Sequence, residues 1–118
     1  MKPLEKTQFI SNWIKDYVDK MSNRAHSLVI GISGGIDSSV SSTLSAMTGI
    51  KTITLSMPIK QKSFQHDLSL KHQEWLVKKF NNVEAHTIDL DELFKKFEKT
   101  LSNFSSDLGM ANSRARLR

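Results

Sequence analysis

The 118-residue chain contains no cysteine, which removes disulfides, thiolate zinc sites and a cysteine nucleophile from consideration. Proline is almost as scarce, with two residues, and the five glycines are not gathered into a flexible tract. No linker, internal repeat or low-complexity segment divides the chain, so a single domain over residues 1–118 is expected. No apolar run approaches the ~20 residues a helix needs to cross a bilayer. The stretch Met1 to Phe9 lacks the apolar centre of a signal peptide, so the expectation is a cytoplasmic protein with no membrane partner. Acidic residues are the minority, 12 against 17 Lys and Arg, for a formal net charge of +5. Most of the lysines alternate with acids along helical stretches, which is the pattern of solvated faces and not of a nucleic-acid groove. A small anionic ligand suits the same charge. The one dense basic cluster is Arg114, Arg116 and Arg118.

What is present is a regular alternation. Ile10, Trp13, Ile14, Tyr17, Val18 and Met21 recur at helical spacing, and Trp13, Tyr17 and Met21 read as core or subunit interface. Residues 27–33 (SLVIGIS) form an almost wholly apolar run, as expected of a strand buried on both faces of a parallel sheet. A helix of small residues over 36–47 should end near Gly49, a natural C-terminal cap. Residues 51–57 (KTITLSM) predict a second strand, stopped by Pro58. A polar connection over 59–65 leads to a helix over 67–80 whose inner side would carry Leu68, Trp75, Leu76 and Phe80. Residues 83–88 give a third strand. Asp89 and Glu92 make a capping box ahead of Leu90, Leu93, Phe94, Phe97, Leu101 and Phe104. A loop over 105–109 and the start of another helix over 110–118 complete the pattern. Such alternation predicts an α/β fold, a parallel sheet covered by helices with right-handed crossovers. Its most apolar strand, the first, should be central, and about half of the sheet is expected to lie outside this chain.

The chemistry is concentrated where the first strand turns into a helix: Gly31, Ile32, Ser33, Gly34, Gly35, Ile36, Asp37, Ser38 and Ser39. Ligands of open α/β sheets bind beyond the carboxyl ends of the strands. Adjacent glycines let backbone N–H groups approach an anion, and the following helix aims its positive end at the same place. The serines add hydroxyl donors. Asp37 would repel phosphates unless a cation intervened, and magnesium characteristically binds one or two carboxylates together with phosphate oxygens. The residues therefore predict a magnesium–nucleotide site, with Asp37 as metal ligand. Two familiar loops fail on spacing: no Lys follows the glycines as a Walker loop requires, and Ser33 occupies a glycine position of the Rossmann fingerprint. The four histidines, His26, His66, His72 and His86, lack metal-ligand spacing and read as polar surface.

Ser33-Gly34-Gly35-Ile36-Asp37-Ser38 resembles the S-G-G-x-D-S loop of the PP-loop ATP pyrophosphatases. The resemblance implies a Rossmann-like adenine nucleotide alpha hydrolase fold and cleavage of ATP between its α- and β-phosphates. Two further stretches are similar to the NAD synthetases of that superfamily, Leu55-Ser56-Met57-Pro58 at a strand end and Asn112-Ser113-Arg114-Ala115-Arg116-Leu117-Arg118 in the tail. By that resemblance residues 31–38 bind ATP, Asp37 and Ser38 are catalytic, Asp37 holds magnesium, and Asn112 and Arg116 contact deamido-NAD. The implied reaction is ATP-dependent amidation of deamido-NAD to NAD with ammonia through an adenylate, releasing AMP and pyrophosphate. A homodimer is implied as well. The chain would then be the amino-terminal part of such a domain, and alone it could be inactive. Other expectations compatible with the same loop are a tRNA-modifying PP-loop ligase and a truncated, non-catalytic nucleotide-binding module.

Overall fold

The computed structural model describes residues 1–59, 63–101 and 107–118. Five helices and three strands alternate in it: α1 (Pro3–Asp19), β1 (Leu28–Gly31), α2 (Ile36–Ala46), β2 (Thr52–Ser56), α3 (Ser63–Lys79), β3 (Val83–Thr87), α4 (Asp91–Thr100) and α5 (Asp107–Leu117). The strands form one parallel sheet in the order β1-β2-β3, with Leu28 opposite Thr52 and Thr52 opposite Val83. The expected α/β architecture is therefore present. Among the described residues, however, the middle strand is β2, and β1 has one neighbour. Its apolar character is accordingly unspent: Val29 is 57% exposed.

Local sequence explains most element ends. Pro3 occupies the first turn of α1, where its missing N–H costs nothing, and the Glu5 carboxylate accepts the Lys2 N–H at 3.3 Å. The C-cap of α2 is Met47, and Gly49, three residues beyond the helix at φ +80°, turns the chain away while its N–H donates to the Ala46 carbonyl at 3.2 Å. Helix α4 starts one residue later than the capping box predicted. Asp89 accepts the Asp91 N–H at 2.8 Å while Leu90 takes the cap position. The expected loop over 105–109 lies partly outside the described residues, but Gly109 is already helical, because α5 begins at Asp107. The third helix begins at Ser63, inside the stretch read as a polar connection.

The buried faces of two helices differ from the apolar reading. In α1, Ser11 and Val18 are buried, whereas Trp13 and Tyr17 are 59% and 61% exposed and stack on each other at 5.5 Å. In α3 the inward stripe is Ser69, Gln73 and Leu76, and both Leu68 and Trp75 are exposed. The cause lies on β2, whose inner face is Thr52, Thr54 and Ser56, all fully buried. Buried hydroxyls and carbonyls need partners, so polar side chains are drawn inward. Ser69 pairs with Ser56 at 2.9 Å. The Gln73 amide donates to the Thr54 carbonyl and hydroxyl, both at 3.1 Å, and to the His86 carbonyl at 3.2 Å. A small apolar cluster of Ala46, Leu76, Val83 and Phe80 closes the end of this layer. The opposite sheet face, with Val29, Glu84 and His86, is exposed.

Candidate functional site

The segment after β1 is shaped by hydrogen bonds that the strand starts and the serines finish. The Ile32 N–H donates to the Leu55 carbonyl at 2.8 Å, which carries the β1–β2 ladder one residue further and buries the Ile32 side chain. Gly34 then turns the chain at φ +93°. A Cβ at this position would overlap the Gln65 carbonyl oxygen and lie 3.2 Å from the Gln65 carbonyl carbon. Glycine is thus required twice over, by conformation and by the first turn of α3 pressed against the loop. The Ser33 hydroxyl accepts the Gly35 N–H at 3.2 Å, and the Ser38 hydroxyl accepts the Ser33 N–H at 3.1 Å. The two hydroxyls lie 3.2 Å apart. Ser38 and Ser39 return hydrogen bonds to the Gly35 carbonyl at 3.3 and 2.8 Å. The loop is held in shape by its own side chains.

Gly35 caps α2 without any side chain accepting the first-turn N–H groups, among the described residues. The N–H groups of Ile36, Asp37 and Ser38 have no carbonyl within the helix to bond, because none precedes them by four residues there. They point, with the positive end of the helix dipole, out of the helix start. This is the arrangement that binds phosphate. Gly31, Ile32, Ser33, Asp37 and Ser38 line a cavity of about 320 Å³ beside it, of a size for a small ligand or part of a larger one. Gly34, Gly35 and Ile36 shape the turn without lining that cavity. Asp37 is exposed in the first turn of α2. No group of three or more acidic or histidine side chains gathers among the described residues. Asp37 is the acidic side chain lining the cavity, and magnesium binds one or two carboxylates together with phosphate oxygens.

The cavity's far wall was not legible in the spacing of the sequence. It is formed by Leu55, Met57 and Arg118. The Arg118 guanidinium donates through Nε to the Met57 carbonyl at 3.0 Å and through Nη2 to the Ile59 carbonyl at 3.3 Å, across some sixty residues of chain. Asn112 and Arg116 share an exposed face of α5, and neither lines the cavity. Arg114 lies 5.5 Å over the buried Phe94 ring. Helical spacing alone puts Arg114 and Arg118 on one face and Arg116 on another, which is the signal that separates them. Helix α2 is further tied to α3 by a 2.9 Å hydrogen bond between the Ser42 hydroxyl and His72 Nε2. Burial lowers the His72 pKa below its usual value, opposed by a hydrogen bond to the Ser39 backbone.

No curated sequence is similar enough to count as a match. Among solved structures, an NMN synthetase from Francisella tularensis superposes with a TM-score of 0.84 at 33% identity, covering 100% of this chain and 47% of that one. A glutamine-dependent NAD+ synthetase from Acinetobacter baumannii, in complex with ADP, shares the fold with a TM-score of 0.77 at 20% identity, over 95% of this chain and 21% of its own. The chain thus spans about half the length, or less, of these proteins. No helix among the described residues is long and apolar enough to cross a membrane. The model of the NAD synthase family matches residues 6–118, nearly the whole chain, and the chain belongs to that family.

Proposed function

We propose that this chain forms the amino-terminal, ATP-binding part of an enzyme that amidates deamido-NAD to NAD with ammonia, releasing AMP and pyrophosphate. The observation that carries the reading is the uncapped start of α2 behind a serine-locked glycine turn, in a chain of the NAD synthase family. That match also favours amidation over a tRNA-modifying reaction on the same loop. Cysteine is absent, so these 118 residues cannot split glutamine through a thiolate, and the nitrogen reaches the site as ammonia, free or released outside this chain.

In this reading the loop N–H groups and the Ser33 and Ser38 hydroxyls bind the β- and γ-phosphates, which leave together as pyrophosphate. Asp37 would hold magnesium, and that ion when bound offsets the charge of the leaving group. The nicotinate carboxylate attacks the α-phosphorus, the bond to the β-phosphate oxygen breaks, and an adenylate forms. Ammonia then displaces AMP. The protein's part is positioning and stabilisation of charge. Asn112 and Arg116, one turn apart on the exposed face of α5, are assigned to the dinucleotide, whose anionic groups suit a guanidinium. The exposed Trp13–Tyr17 pair of α1 is assigned to a homodimer contact, and a cytoplasmic setting completes the reading.

Turnover in the protein that carries this chain tests the proposal: AMP, pyrophosphate and NAD should appear in equal amounts from ATP, deamido-NAD and ammonium. Asp37→Ala should lower that rate on the order of a hundredfold or more while leaving the melting temperature nearly unchanged. Full turnover by this variant would remove Asp37 from the mechanism, and no product at all would favour a non-catalytic nucleotide-binding module. A second reading rests on the 33% identity with the NMN synthetase from Francisella tularensis. Nicotinate mononucleotide would then be the substrate, and a higher kcat/KM for it than for deamido-NAD decides between the two.

A further inference from the structure

We infer that Arg118 is an anion-binding residue of the phosphate cavity, clamping the nucleotide's pyrophosphate from the wall opposite the loop. The inference rests on the nucleotide reading of that loop. A guanidinium carries five N–H donors in a fixed plane. Two of them are taken by the carbonyls of Met57 and Ile59, at 3.0 and 3.3 Å. Three remain, on a side chain that lines the same cavity as Ser33, Asp37 and Ser38. The anchors are neutral, and among the described residues no ion pair joins Arg118 to a carboxylate. An arginine held by two backbone carbonyls is already oriented before a ligand arrives, so less freedom is lost on binding. The two walls are complementary. The loop offers neutral N–H and O–H donors, Asp37 contributes a negative charge, and Arg118 brings a full positive charge to the cavity.

The geometry also separates the three tail arginines. Arg114 is occupied over Phe94, Arg116 is exposed, and Arg118 alone among them reaches the cavity. A clasp serving only to fasten α5 to the end of β2 could be built from any donor. A cation with spare donors beside a phosphate-binding turn points to an anion with several oxygens, and bidentate guanidinium–phosphate pairing is the chemistry that uses them.

Calorimetric titration of the full chain with inorganic pyrophosphate, ATP and adenosine, each with magnesium, tests this. Arg118→Gln should weaken pyrophosphate and ATP by about tenfold to a hundredfold, the loss of one or two charge-assisted hydrogen bonds. Adenosine should be unaffected. Arg118→Lys, which keeps the charge without the fork, should recover part of the loss. The salt dependence of pyrophosphate binding should be shallower in Arg118→Gln than in the wild type. Equal pyrophosphate affinity in the wild type and Arg118→Gln overturns the inference and leaves the loop reading standing. A uniform weakening of all three ligands, with a lowered melting temperature and no recovery in Arg118→Lys, also overturns it, reducing Arg118 to a fastener. A wild-type chain that binds neither pyrophosphate nor ATP overturns the loop reading, and the inference with it.

Discussion

Gly34→Ala is the sharpest probe of the loop, because its neighbours provide internal controls. Alanine at φ +93° pays the left-handed penalty of about 1–2 kcal/mol. Its Cβ would also overlap the Gln65 carbonyl oxygen, a backbone atom that no rotamer change moves aside. The loop and the first turn of α3 would have to separate by several tenths of an ångström, an overpacking cost of about 1–3 kcal/mol. Together the loss is about 2–5 kcal/mol, or about 8–20 °C in melting temperature for a chain of this size. Gly35 sits at φ −87°, and a Cβ there meets only the Ser33 hydroxyl at 3.4 Å. A Cβ on Gly31 would touch the flexible Met57 Cε at 3.6 Å. Both of these alanine variants should cost less than about 1 kcal/mol. Circular dichroism melts of the three variants rank them directly. A Gly34→Ala melt within two degrees of wild type, or equal losses at all three glycines, would show that α3 does not press on the loop as described.

The polar contacts of α3 are open to the same kind of test. Gln73→Leu removes the amide that serves the Thr54 and His86 carbonyls and should cost about 1–3 kcal/mol in urea unfolding. Gln8→Ala, which breaks an exposed bond to Asn12, should stay within about 0.5 kcal/mol. The His72 pKa is lowered by burial from 6.5, so below that pH the unfolded chain takes up a proton that the folded chain refuses. The stability of the wild type should therefore be intact above pH 6.5 and fall as the pH drops from there towards the lowered folded value. His72→Gln should flatten this acid-side decline in urea midpoints measured from pH 7.5 to 5. An unchanged slope would show that His72 does not contribute to it.

How much of this was legible in the sequence depended on which letters carry the signal. The element order was readable because SLVIGIS and KTITLSM are dense in apolar and β-branched residues, and because Gly49 ends a helix of small residues. The glycine turn at the start of α2 was readable because two adjacent glycines followed by a helix-favouring acid mark such a turn. The buried faces of α1 and α3 were not, because helical periodicity counts apolar residues and assigns them inward. Here Ser11, Ser69 and Gln73 took inward positions while Trp13, Tyr17 and Trp75 stayed out. Only the register of β2, which turns Thr52, Thr54 and Ser56 to the helix-covered side, reveals that the layer is polar. Arg118 escaped for a different reason: its partners are distant in sequence, and no spacing rule joins position 118 to positions 57 and 59.

The polar layer and the glycine turn after β1 are one construction. Helix α3 is drawn onto β2 by Ser69 and Gln73, and that docking carries the Gln65 carbonyl to the back of Gly34. The first turn of α2 is held in register from the other side by the Ser33–Ser38 hydroxyl pair. A loosely packed, purely apolar interface would let α3 slide by a fraction of an ångström at little cost. Hydrogen bonds with fixed donors and acceptors tolerate such sliding less well, because their strength falls steeply with geometry. The hydroxyl-rich sheet face thus sets the position of the helix that backs the loop. The loop's N–H groups are then aimed before any ligand arrives, which is the condition under which neutral donors stabilise charge most effectively.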